Sequence, residues 1–321
     1  MRFKTFAASV HGKKYFERGL PCQDFSSELE FDSVQAIAIA DGHGGKDYFR
    51  SDTGARLAVK VAFEQTKIFC KNISADENFS ENGIKNFEFK ILEEWRAAVK
   101  KHWRENPPSD DELRWQNVSD KYKMRFASDE KFLPVAYGAT LLCAVSIGSQ
   151  VLIVQIGDGS CVVFQQSGEF KMPVPPDDEN FANVTTSLCD FDADKKFRHA
   201  VLNCDEDSPL APAAIFLSTD GLDDCYPIFE NDKWLYKFYF DTIIDSMICN
   251  GLSLTAQEIR ADLLPYMTEH GSNDDISLAY FVTNDLNLLL RSRTVFLADR
   301  AREKIWERWQ EERRKNHDRQ L

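Results

Sequence analysis

Apolar residues recur along the chain at two spacings, and the change from one to the other divides it. From Thr53 to Cys70 and from Asn86 to Arg104 they fall three and four residues apart; in the second stretch Ile91, Trp95, Ala98, Val99 and His102 share one stripe. That period predicts two amphipathic helices, with Trp95 and Trp103 as core anchors. Ahead of them, Ala36 to Ala40 is a short unbroken apolar run, as expected of a buried strand. ENPPSDDE breaks the helical pattern as a loop. From Gly138 the chain turns to short apolar runs split by turn residues, TLLCAVSIGSQVLIVQIGDGSCVVFQQSGEFKM, which predicts an antiparallel meander. Residues 165–213, with the polar PVPPDDEN, read as a loop-rich, flap-like excursion. Strand pattern returns at AIFLSTDG (214–221), helical spacing follows at 233–250 and 255–268, and ISLAYFV (276–282) is the last strand. Strands, a helix pair and further strands do not alternate as in a doubly wound parallel sheet. The expected class is α+β, antiparallel sheets covered by helices.

Composition narrows the functions this fold can carry. With 321 residues and 43% apolar content the chain can build a large core. Eight cysteines without a Cys-x-x-Cys pair, several inside apolar runs, predict reduced and buried thiols and speak against a zinc site. A formal charge of −13 would repel a nucleic-acid backbone. No run of about 18 apolar residues is present, and the opening MRFKTFAASVHGKK lacks the apolar centre of a signal peptide. The expectation is a cytoplasmic protein without a nucleic-acid or membrane partner.

Part of the acidic excess is ordered. IADG, QIGDG and LSTDG end three apolar runs with Asp41, Asp158 and Asp220, each followed by glycine, and Asp274 and Asp275 stand directly before ISLAYFV. A single Asp-Gly is an ordinary turn. In an antiparallel sheet, however, the finishing end of one strand lies beside the starting end of its neighbour, so all four places can share one edge. Carboxylates and glycine carbonyls, with no Cys or His grouping, make an oxygen shell suited to Mg²⁺ or Mn²⁺.

ADGHGG (40–45), YGAT (137–140), IGDGS (156–160), STDGLDD (218–224) and NDDIS (273–277) resemble the ordered motifs of the type 2C, metal-dependent serine/threonine protein phosphatases. GLPCQDF (19–25) and FANVTTSL (181–188) are similar to the bacterial branch of that family. The resemblance spans about residues 5–284 and implies an α-β-β-α sandwich with a two-metal site. It implies that Asp41 bridges two Mg²⁺ or Mn²⁺ ions, that the Gly42 carbonyl contacts one, and that Asp220 and Asp274 hold the other. It further implies that Asp24 acts through metal-bound water and that Asp158 supports a third, weaker ion with Asp220. The family's first-motif arginine is missing; His11 stands in its place, and Arg18 is the candidate phosphate clamp. Asp275 replaces the common Asn, and Gly159 a common Ser. His43, two residues past the bridging carboxylate in a turn stripped of bulk, is the candidate general acid for the departing serine or threonine oxygen.

The implied function is hydrolysis of phosphoserine and phosphothreonine on phosphorylated proteins, opposing a Ser/Thr kinase. Two alternatives remain open: a catalytically weak phosphoprotein-binding regulator, and a hydrolase of a small phosphoester. Residues 1–285 are read as the catalytic domain. Residues 286–321 read as a charged amphipathic helix with Leu297, Ala301, Ile305 and Trp309 four residues apart, packed on the domain or docking a partner.

Overall fold

The computed structural model describes residues 3–71, 79–175, 185–205 and 207–318. Within them lie strands β1 (Phe3–Val10), β2 (Phe25–Phe31), β3 (Val34–Ala40), β4 (Leu141–Ile147), β5 (Gln150–Ile156), β6 (Ser160–Gln165), β7 (Phe170–Lys171), β8 (Arg198–Asn203), β9 (Pro212–Ser218) and β10 (Ile276–Thr283). One sheet runs β1-β10-β9-β6-β7 and the other β2-β3-β4-β5-β8, with antiparallel pairing throughout. The expected α+β class is met, two antiparallel sheets with helices on their outer faces.

The alternation of side chains explains why the strands read as unbroken apolar runs. In β3, Ile37 and Ile39 point between the sheets, where they meet Ile153, Ile215, Leu217 and Phe281. Ala36, Ala38 and Ala40 point outward into the layer of helices α2 (Ser51–Lys71) and α3 (Glu81–Glu105). Both faces are buried, and the small outward residues let α2 lie close. The two helices start a few residues earlier than the periodicity suggests. In α3 the Ser80 hydroxyl caps the first turn by accepting from the Gly83 N–H at 3.1 Å. Trp95 is fully buried and donates its indole N–H to the Gly54 carbonyl at 3.0 Å. The outer face of the other sheet is covered by helical residues 231–270, in which π-helical turns Tyr239–Ile244 and Ile259–Leu263 interrupt the α-helix.

Three expectations need correction. β4 and β5 form the hairpin of the predicted meander, but β6 leaves it for the opposite sheet and pairs with β9. IGDGS carries the chain across, with Gly157 at φ +113° and Thr140 placed where a side chain would stand. Within ENPPSDDE a helix begins, Asp110–Trp115, capped by Ser109, whose hydroxyl accepts from the Glu112 N–H at 3.1 Å. Among the thiols, Cys70, Cys143, Cys161 and Cys204 are buried, whereas Cys249 is exposed.

Of the segment 165–213, residues 176–184 and 206 lie outside the described residues; β7 and β8 fall within the remainder. The chain ends in a helix, Leu286–Asp318, whose first turns bury Leu288, Leu289 and Ser292 and whose Arg293 meets Asp245 at 2.5 Å. The side chain of Trp309 lies outside the described residues. Among the described residues no helix is long and apolar enough to cross a membrane.

Candidate active site

Five aspartates stand at strand ends on one side of the sandwich. Asp41 follows β3, Asp158 and Asp220 come within two residues of the ends of β5 and β9, Asp24 precedes β2, and Asp274 precedes β10. The registers Phe25↔Ala40, Leu141↔Ile156 and Leu278↔Ser218 bring these ends level. Each turn is fixed by backbone. Asp41 exchanges hydrogen bonds with Thr140, its N–H donating to the Thr140 hydroxyl at 3.0 Å and its carbonyl accepting from the Thr140 N–H at 2.8 Å. Gly42 donates its N–H to the Gln23 carbonyl at 3.1 Å; a Cβ there would lie 2.6 Å from the Ser51 carbonyl oxygen, so the turn requires glycine.

The carboxylates feel burial and one another. Asp24 is buried and accepts from the Thr219 hydroxyl at 2.7 Å; burial, and then Asp275 and Asp220, push its pKa well above the ordinary range. Burial raises Asp41 strongly too, with Asp24 and Asp220 adding to the effect, and Asp41 shares a side-chain hydrogen bond with Asp220. Asp220 itself is pushed up to about 6, chiefly by burial. Desolvation and like charge together favour protons on these groups. Asp158 accepts from the Thr185 hydroxyl. Asp274 is held by the Lys14 ammonium and the Tyr15 hydroxyl.

In this arrangement the five are neighbours held by separate partners. Among the described residues no three His, Cys, Asp or Glu side chains form a ready-made ligating group. The donor chemistry nonetheless fits hard divalent cations. It is oxygen only and mutually repulsive; burial and that repulsion raise the pKa of Asp41 and Asp220, and the Lys14 ammonium is bonded to Asp274.

His43 sits in the turn after Asp41. Its N–H donates to the Gly138 carbonyl at 3.1 Å, and its ring meets Tyr48 edge-on at 4.9 Å. Burial lowers its pKa, partly opposed by Asp158 and Asp190. Arg18 is exposed on the turn that closes the helix Lys13–Phe16, while Lys14, in the same helix, reaches the site. Sequence reasoning missed Lys14 and Tyr15, since nothing local ties them to a residue some 260 positions away. It also missed the task of Asp275. That carboxylate accepts from the N–H groups of Gly12 at 2.6 Å and Gln23 at 2.7 Å, fastening the first motif to the last. The doubled aspartate was its signal.

The family model for protein phosphatase 2C matches residues 11–254, and the chain belongs to that family of metal-dependent protein phosphatases. Among curated proteins none matches the sequence significantly. Among solved structures the chain is similar to a serine/threonine phosphatase of S. agalactiae, at 14% identity and TM-score 0.52, over 88% of this chain and 100% of that one. It is similar to PppA of Pseudomonas aeruginosa, at 15% identity and TM-score 0.51, over 88% and 98%. A C. elegans sex determining protein aligns at 13% identity and TM-score 0.53, over 92% of this chain and 68% of that one. At these identities the likeness speaks for the shared fold.

Proposed function

We propose that the protein hydrolyses phosphoserine and phosphothreonine on protein substrates, opposing a Ser/Thr kinase, with two Mg²⁺ or Mn²⁺ ions and a weaker third. One observation carries the reading. Asp24, Asp41, Asp158, Asp220 and Asp274 come to one end of the sandwich from five strand ends, where burial and neighbouring carboxylates raise the pKa of Asp24, Asp41 and Asp220. Asp41 would bridge two ions, with the Gly42 carbonyl on one and Asp220 and Asp274 on the other. Asp24 would act through water, and Asp158 with Asp220 would hold the third. Bound there, such ions supply Lewis acidity, lowering the pKa of water and neutralising phosphoryl charge.

The chain's own side chains supply the remaining chemistry. The His43 imidazole gives a proton to the departing serine or threonine oxygen. Burial lowers its pKa and Asp158 and Asp190 oppose that; a bound phosphoryl group would add to the opposing charge and favour the protonated form the role needs. Lys14, exposed and bonded to Asp274, suits the role of gripping a phosphoryl oxygen better than Arg18 does. The same Lys14 contact favours a second reading, a phosphoprotein-binding regulator whose Asp274 is already paired. Phosphopeptide hydrolysis with Mn²⁺, with EDTA and with Asp220→Asn decides between them. The proposal expects turnover only in wild type with Mn²⁺. Binding without turnover gives the regulator, and turnover of p-nitrophenyl phosphate alone gives a small-ester hydrolase.

A further inference from the structure

Charge is unevenly divided along the chain. Residues 286–321 hold ten Lys and Arg against six Asp and Glu, whereas residues 1–285 hold 29 against 46, so a segment of formal charge +4 is joined to a body of −17. That basic segment is the C-terminal helix, and it outruns the body: residues 301–308 are exposed on every side. Its surface is also divided. Asp299, Glu303 and Glu307, together with the exposed Trp306, continue the face that nearer the body buries Leu288, Leu289 and Ser292. The opposite face is apolar and basic. Leu286, Leu290, Leu297 and Ile305 form one stripe, from 40% exposed at Leu297 to 67% at Ile305, and Lys304 and Arg308 lie within it.

The body carries a complementary surface. Between the helical segments 239–250 and 252–270 lies a cavity of about 530 Å³, lined by Ile259, Leu263 and Tyr266 together with the carboxylates of Glu258 and Asp262. Tyr266 is 62% exposed. Glu258 and Asp262 are four residues apart on their helix, as are Lys304 and Arg308 on theirs, so both pairs repeat about every 6 Å.

We propose that this groove receives the C-terminal helix of a second copy of the chain, with the apolar stripe on Leu263 and Tyr266 and with Lys304 and Arg308 on Glu258 and Asp262. The helix cannot supply its own groove. It runs unbroken from Leu286 to Asp318 and is fixed at its base by the Arg293 to Asp245 ion pair. Asp245 belongs to the helical segment that walls the groove, so the arm and the groove share one flank and a two-fold axis exchanges two arms at once. Such an interface combines an apolar centre with steering charge.

Sedimentation velocity of the full chain tests this. The expected result is a concentration-dependent dimer that weakens in about 1 M salt, where the screening length falls to about 3 Å. Glu258→Lys with Asp262→Lys should weaken it about tenfold or more, as should Lys304→Glu with Arg308→Glu, while both variants keep wild-type melting temperatures as monomers. Mixing the two variants restores both arms' charge pairs and should return a heterodimer. A chain monomeric at all concentrations overturns the proposal, as does a dimer indifferent to the groove charges or a mixture that fails to recover.

Discussion

At the scale of single residues, His43 carries the most specific expectation. Serine alkoxide leaves far less readily than p-nitrophenolate, so protonation matters most for the phosphopeptide. His43→Ala should lower kcat on a phosphothreonine peptide by about 10²-fold or more, with a clearly smaller loss on p-nitrophenyl phosphate. Equal losses on the two substrates would remove His43 from the acid role. Lys14 makes a second test. Its ammonium sits on Asp274 and must compete with any cation there, so Lys14→Met should tighten Mn²⁺ binding, read by calorimetry, by roughly 3- to 10-fold. Unchanged affinity would mean the ion pair is incidental.

Asp223 supplies a third, with a definite sign. Burial pushes it up to about 8 even though the hydroxyls of Ser160 and Ser218 donate to it. The native state therefore keeps a proton that the unfolded chain releases above about pH 4. Its contribution to stability is fully present below that pH and is lost as pH climbs toward 8. Asp223→Asn, which stays neutral, should melt higher than wild type at pH 8, about 2–4 °C for each kcal/mol recovered, and equally at pH 4. A variant that melts lower at pH 8 would contradict the assigned shift.

At the scale of elements, the C-terminal helix has two parts with different duties. Its first turns bury Leu288, Leu289 and Ser292 and pack Phe296, while residues 301–308 touch little of the body. Deleting 298–321 should leave the monomer's melting temperature within about 2 °C of wild type, whereas deleting 286–321, which removes Leu288 and Leu289, should lower it by several degrees, since one buried large apolar side chain contributes about 1.5–3 kcal/mol. Thermal melts of both truncations check this; an equal loss would mean the outer turns also pack. The helices and strands themselves were legible because their periodicity is local: Ile91, Trp95 and Val99 mark a buried face before any partner is known. Connectivity was not. IGDGS looks the same whether it closes a hairpin or carries β6 into the opposite sheet, and only the pairing of β6 with β9 decides. The site divided in the same way. Aspartates at strand ends announce themselves by the apolar run before or after them, while Lys14 and the latch formed by Asp275 depend on contacts some 250 residues distant.

At the scale of the molecule, the acidic edge ties folding to metal ions and pH together. Without divalent ions, the raised carboxylates of Asp24, Asp41, Asp220, Asp223 and Asp275 favour a protonated native state, so stability in EDTA should fall between about pH 4 and pH 8. Divalent ions require the ionised form, so the stabilisation they bring should grow over the same range. Melting curves at several pH values, with Mn²⁺ and with EDTA, should diverge as pH rises. If the aspartates form one metal centre around Asp41, calorimetric titration of the full chain with Mn²⁺ should register it. Wild type should bind two ions per chain tightly, ahead of any weaker third, and Asp41→Asn, shown by circular dichroism to be folded, should lose both tight sites. Absence of binding by wild type, or an Asp41→Asn isotherm indistinguishable from it, would mean that Asp41 anchors no metal centre.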